Sequence, residues 1–264
     1  MTTRRTFLGG ALLGGAALVG GGSVAVAQSD EVPSSEGSSD ETAPAPSSRE
    51  GDPAGPVAVL RAAVETGRRL RRGEITQLGW QEEVERLLSA CAPDHLARAV
   101  DLSRLRRRAR PVARGASILR VPLFDSLNGD VGADMKVFFL RAGHSDPPHC
   151  HFNLVAAHVV LVGSFRVRHY ARLTEDAASV ALRPTHDRTI GPGQVTSISD
   201  HRDNAHWHLA QTDGVLLDVQ QGRIDPSLPI RRRQMLDVDR GTSGPDGSLR
   251  APKLSRGSAL RRYG

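Results

Sequence analysis

Residues 143–170 read GHSDPPHCHFNLVAAHVVLVGSFRVRHY, and the reading of the fold starts there. A turn-rich opening, Gly143-His144-Ser145-Asp146-Pro147-Pro148, leads into His149 and His151. Residues two apart on an extended strand share a face. The spacing therefore sets two imidazoles side by side, an arrangement that suits a first-row divalent metal. An apolar run over 154–162 follows, interrupted only by His158, and Gly163 closes it. Residues 164–170 then alternate like the return strand of a hairpin. A third ligand is needed to close a site, and Asp203-Asn204-Ala205-His206-Trp207-His208 offers one. His206 and His208 share a face, so spacing alone does not choose between them.

Outward from this stretch the texture stays that of short strands. Ile118, Val121, Leu123 and Phe124 suggest one, and Asn128-Gly129-Asp130 a turn. Residues 135–140 form an apolar strand that feeds the Gly143 loop. Residues 179–182 and 195–199 suggest further strands, and 207–210 with 215–219 a hairpin across Thr212-Asp213-Gly214. Strands at such regular spacing signal an all-β domain, expected over 116–222. Residues 57–115 instead carry helical stripes: Val59, Leu60, Ala63, Val64 and Leu70; then Trp80, Val84, Leu87 and Leu88; then Leu96, Val100, Leu102 and Leu105.

The first 27 residues read as an address. Thr3-Arg4-Arg5-Thr6-Phe7-Leu8 resembles a twin-arginine export signal, with a glycine-rich apolar run behind it and Ala25-Val26-Ala27 as the cleavage site. That run is shorter than the roughly 20 residues of a spanning helix, so the expected location is outside the cytoplasm, with the twin-arginine translocase as a transient partner and no stable membrane anchor. Residues 28–56 are an acidic linker with too few apolar side chains to order themselves. Residues 223–264, basic and rich in Pro, Gly and Ser, are expected to be a flexible tail, with Leu228 to Leu236 as the stretch that could pack.

The chain has a formal net charge of +6. Arginine clusters at 68–72 and 104–110 lack interleaved aromatics and read as solvated helix faces, so no specific nucleic-acid partner is expected. The two cysteines, Cys91 and Cys150, either pair across the domain or stand as separate buried thiols. Cys150 lies between the two histidines and so points away from their face.

The pattern Gly143, His149, His151, Gly163 is similar to the first motif of the cupins, small antiparallel jelly rolls with a metal inside. That motif carries a Glu seven residues before its closing Gly, where this chain has Ala156. The loss resembles the three-histidine thiol dioxygenases. Pro148-His149-Cys150-His151, Gly163-Ser164 with the basic strand ending in Tyr170, Asn204-Ala205-His206 and Leu217-Asp218 follow their layout. The resemblance implies a mainly β, cupin-type jelly-roll barrel with an N-terminal helical extension. It also implies one divalent metal on His149, His151 and His206. Fe(II) is the expected ion, with Mn, Ni or Zn as alternatives. His158, His208, Asn204 and Asp203 are the candidate supporting groups or substitute ligands. The implied activity is iron-dependent oxygenation of a small thiol. The alternative is a metal- or small-ligand-binding cupin of the cell envelope without catalysis.

Overall fold

The computed structural model describes residues 55–122, 132–228 and 233–264. The export signal, the linker up to 54, Leu123, Phe124, the turn at Asn128-Gly129-Asp130 and Arg231-Arg232 lie outside the described residues.

Four helices open the domain: α1 (Pro56–Arg71), α2 (Gln77–Ser89), α3 (Pro93–Ala99) and α4 (Leu102–Arg108). Proline in the first turn starts α1 and α3, where its missing N–H removes nothing. The Thr76 hydroxyl caps α2 by accepting from Gly79 N at 3.1 Å. The third apolar stripe is split at Asp101, which adopts φ 49° and caps α4 through Arg104 N.

Among the described residues twelve strands follow. They are β1 (Ser117–Arg120), β2 (Ala133–Leu140), β3 (Ser145–Cys150), β4 (Leu154–Val162), β5 (Phe165–Glu175) and β6 (Ser179–Ile190); then β7 (Val195–Ile198), β8 (Ala205–Ala210), β9 (Gly214–Gly222), β10 (Gln234–Leu236), β11 (Thr242–Ser243) and β12 (Leu249–Leu254). Helix α5 (Arg256–Tyr263) ends the chain. One sheet has the order β1-β2-β9-β4-β7 and the other β10-β3-β8-β5-β6-β12-β11. Every pairing is antiparallel. The two sheets face each other across Phe138, Val160 and Leu216 on one side and Phe165, Val167, Ile190 and Ala210 on the other. This is a mainly β antiparallel jelly roll with a helical N-terminal extension, the architecture the sequence analysis expected.

Two expected hairpins are corners instead. β4 pairs with β7 and β9, whereas β5 pairs with β6 and β8, so the chain changes sheets at Gly163-Ser164. β8 and β9 likewise belong to different sheets. Gly163 adopts φ +83°, and a Cβ there would stand 2.5 Å from Asp213 O, so the close approach of the two corners requires glycine.

β4 is apolar throughout because both its faces are covered. Val155, Ala157, Val159 and Leu161 pack under the helices with Leu60, Trp80, Val84, Leu88, Leu96 and Leu105. Burying each such large side chain contributes roughly 1.5–3 kcal/mol. Leu154, Ala156, His158 and Val160 take the other face, toward the barrel interior. A buried polar link fastens α2 to β7: Gln81 Nε2 donates to Ser197 Oγ at 2.8 Å.

The flexible tail expected over 223–264 differs from what is observed. β10 pairs with β3 and β12 with β6, and α5 folds back so that Tyr263 packs with Cys150, Tyr170, Val180, Leu182 and Leu236 on the outer face of the second sheet. The apolar residues of this segment are few among basic and polar ones, and Leu236, Val238, Ala251 and Tyr263 are the buried ones that pack against the second sheet. Cys91 and Cys150 form no disulfide. They sit in different clusters, one under the helices and one beneath the C-terminal segment.

Candidate metal centre

Cross-strand register assembles the site. Met235, His149, His206, His169 and His186 stand in one row across β10, β3, β8, β5 and β6. Directly opposed residues share a face, so the row lies along one surface of the sheet. The next row holds Asp146, His208 and Val167. On the facing sheet Thr196, His158, Asp218 and Lys136 make a third row.

β3 contains a bulge. Asp146 opposes His208 and His149 opposes His206, so Pro147 and Pro148 together face the single Trp207. Prolines that cannot donate to a ladder are tolerated at such a point. The bulge also brings Asp146, three residues before His149, onto the same face as His149. A strict two-residue alternation puts it on the opposite face, and the Gly/Ser/Asp/Pro composition of 143–148 reads as a turn rather than a strand.

The result is a layer of five buried imidazoles: His149, His151, His158, His206 and His208, each 0–3% exposed. His149, His151 and His206 form an outer triad whose candidate ligand atoms lie within 4.8 Å of one another. Their ring centroids are 4.2–5.4 Å apart. His158, His206 and His208 form an inner triad that meets the same 4.8 Å limit, with centroids 4.6–5.4 Å apart. His206 belongs to both. The apolar cluster of Phe138, Val160, Phe165 and Val167 lies beyond the inner triad.

His149 Nδ1 is 2.7 Å from the Pro147 carbonyl. A carbonyl only accepts, so Nδ1 carries the proton and Nε2 is left with a lone pair. His149 Nε2, His158 Nδ1, His206 Nδ1 and both nitrogens of His208 are buried with no hydrogen-bond partner among the described residues. Each such atom costs about 1–3 kcal/mol if nothing binds it. A metal would satisfy the lone-pair nitrogen of each ring, so the residues present fit a divalent ion. Burial holds His149, His158, His206 and His208 well below the usual imidazole range, keeping them in the neutral, ligating form.

Charges surround the layer without joining the triads. Asp218 is fully buried, and burial pushes its carboxyl up to about 7. It stands 3.5 Å from His158 Nε2. Asp146 pairs with Arg233 at 2.6 Å and stands 4.0 Å from His149 Nε2. Asp203 and Asn204, expected behind the ligand rings, hold other groups. Asp203 accepts from Thr185 at 2.5 Å and faces His169 Nδ1 at 3.6 Å and His186 Nε2 at 3.5 Å. The Asn204 amide donates to the Ser199 carbonyl at 2.9 Å, tying the start of β8 to the loop before it. Trp207 lies outside the layer, against Tyr263 and Arg168. His144 and His201 are in loops. The sequence reading missed Asp146, Arg233 and the His169–His186 extension of the row. Arg233 is 87 residues from Asp146, and no local pattern links them.

No protein-family model and no curated protein matches the chain. Among solved structures it is similar to an 11S globulin from Wrightia tinctoria, at 16% identity and a TM-score of 0.33 over 44% of this chain. The match spans only 27% of the globulin's length. KdgF from Halomonas sp. matches at 18% identity and a TM-score of 0.32, over 46% of this chain and 90% of its own. An uncharacterised protein with a double-stranded β-helix domain from Klebsiella pneumoniae matches at 10% identity and 0.32, over 45% of this chain and 81% of its own. The fold assignment rests on strand order and register rather than on these values. Those features define a cupin-type jelly roll, and its interior carries groups of histidines able to hold a metal ion.

Proposed function

We propose that this chain is an exported metal-binding cupin, and that His149, His151 and His206 hold Fe(II) for the oxygenation of a small thiol. The observation that carries the reading is a buried triad of imidazoles with no carboxylate among its members and Ala156 where the motif's Glu is expected. Fe(II) held by such a set would supply the redox chemistry that joins O2 to a thiol. The chain's own residues do the rest. The Pro147 carbonyl fixes the tautomer and direction of His149. Burial keeps the rings neutral and excludes water. Arg233, whose charge bears on His149, favours an anionic thiolate over the neutral thiol. The reaction balances as R–SH + O2 → R–SO2H: both oxygen atoms go to sulfur, which loses the four electrons that O2 gains. Arg4-Arg5 ahead of the apolar run supports export.

The test is O2 consumption by protein loaded anaerobically with Fe(II), using cysteine and cysteamine as probes, with sulfinate followed by NMR. Equal amounts of O2 consumed and sulfinate formed are expected, and both are lost in His149→Ala. A loaded protein that consumes no O2 with either thiol rules against the oxygenase reading. The second reading, a non-catalytic metal- or ligand-binding cupin, draws on the rings themselves. They are 0–3% exposed and packed at 4.2–5.4 Å, which leaves a substrate little approach. It predicts bound metal without turnover.

A further inference from the structure

We propose that the barrel has a second, inner metal position formed by His158, His206 and His208, beside the outer triad and sharing His206 with it; the neutral His206 ring has one lone pair, so the two positions are filled in turn rather than together. The inference goes beyond the oxygenase reading and does not depend on it. The ligand class is a first-row divalent ion that accepts nitrogen donors, such as Zn(II) or Co(II).

The first argument is the cost of leaving the inner rings as they are. His208 is 0% exposed, and neither of its nitrogens has a hydrogen-bond partner among the described residues. A neutral imidazole always presents one donor and one acceptor, so His208 leaves both unmet. His158 Nδ1 and His206 Nδ1 are in the same condition. Buried polar groups in folded proteins are nearly always paired. An apolar side chain at 208 would avoid the cost, as Val167 does in the same row. Three such rings whose ligand atoms converge within 4.8 Å describe a binding site better than a packed core.

The second argument is independent and concerns charge. Asp218 opposes His158 in register and stands 3.5 Å from its Nε2. This is the carboxylate–histidine arrangement that turns the other ring nitrogen, Nδ1, toward a metal. Asp146 opposes His208, and its Oδ2 is buried with no hydrogen-bond partner. Two buried carboxylates thus flank the inner rings and would offset a dication held by neutral ligands. Arg233 pairs with Asp146, whereas Lys136, opposite Asp218 in register, pairs with Asp134 instead.

The experiment is Co(II) binding by full-length protein, measured by equilibrium dialysis and by the ligand-field absorption of the bound ion, with circular dichroism confirming the fold. His149→Ala breaks the outer triad and leaves the inner one intact. It is expected to retain about one equivalent of Co(II). Adding His208→Ala to it is expected to abolish binding, while His208→Ala alone keeps the outer ion. Should His149→Ala not fold, His151→Ala breaks the same triad from outside β3. Folded outer-triad variants that bind no Co(II) overturn the proposal, as does an unchanged equivalent in the double variant. If the outer centre is the misreading, His208→Ala is the empty variant and His149→Ala the loaded one, and the inner position stands.

Discussion

Replacing Ala156 with Glu asks whether the interior next to the outer triad is built to receive a metal. Ala156 is 0% exposed, packed with Leu154 and Ile198. It shares the inward face of β4 with His158. Asn153 and Asn204, both bonded to Asp200, hold together the starts of β4 and β8, the strands that carry Ala156 and His206. Without metal the new carboxyl has no designed partner and stays protonated in the fold. At about 1.4 kcal/mol per pH unit, holding it neutral at pH 7 against an ordinary value of about 4.3 costs about 4 kcal/mol. The added side chain costs roughly 1–3 kcal/mol more through overpacking. For a domain of this size each kcal/mol shifts Tm by about 2–4 °C, so the metal-free variant should melt at least about 8 °C below the parent. The proton is bound more tightly in the folded state, so the deficit is full above the folded value and shrinks as pH falls toward about 4.3. A divalent ion at a hundredfold over its Kd adds about 2.7 kcal/mol, and the variant should gain more from it than the parent because the carboxylate joins the ligand set. Thermal melts with EDTA and with Mn(II) measure both effects. A variant that gains no more from metal than the parent refutes the placement of Ala156 at the centre.

Three further outcomes are expected. Arg4→Lys combined with Arg5→Lys should leave precursor in the cytoplasm, read by fractionation; normal export of that variant removes the twin-arginine reading. Both tyrosines should titrate above the ordinary value of about 10, because burial raises Tyr170, and burial with the Asp237 carboxylate pushes Tyr263 up to about 12. Their contribution to stability is complete below pH 10 and is lost as pH rises toward 12; tyrosinate absorbance already developed at pH 10 in folded protein contradicts the packing of Tyr263. Truncation after residue 233 should expose Cys150, which is 0% exposed in the full chain, to a thiol reagent and lower Tm; an unreactive Cys150 with unchanged Tm would mean that the C-terminal segment does not cover the second sheet.

Local features of the chain were legible because their causes are local. The two-residue spacing of His149 and His151 is a property of one extended segment. The stripes of α1 and α2 show the 3.6-residue period of a single helix, and short strands with Gly-rich turns announce a β domain. What only the tertiary structure decided concerns which strand lies beside which. The run from Leu154 to Val162 is apolar on both faces, and periodicity then carries no information about its partners, so the corner at Gly163 looked like a hairpin. Asp146 joined the interior only because a bulge at Pro147-Pro148 breaks the alternation that a reader counts. The C-terminal segment reads as solvated because its apolar residues are few among basic and polar ones, and the surface they cover is made by β3, β5 and β6, far away in the chain. His158 and His208 were seen as alternatives for one site. Their convergence on His206, with Asp218 behind His158, depends on two sheets meeting face to face, which spacing along the chain does not express.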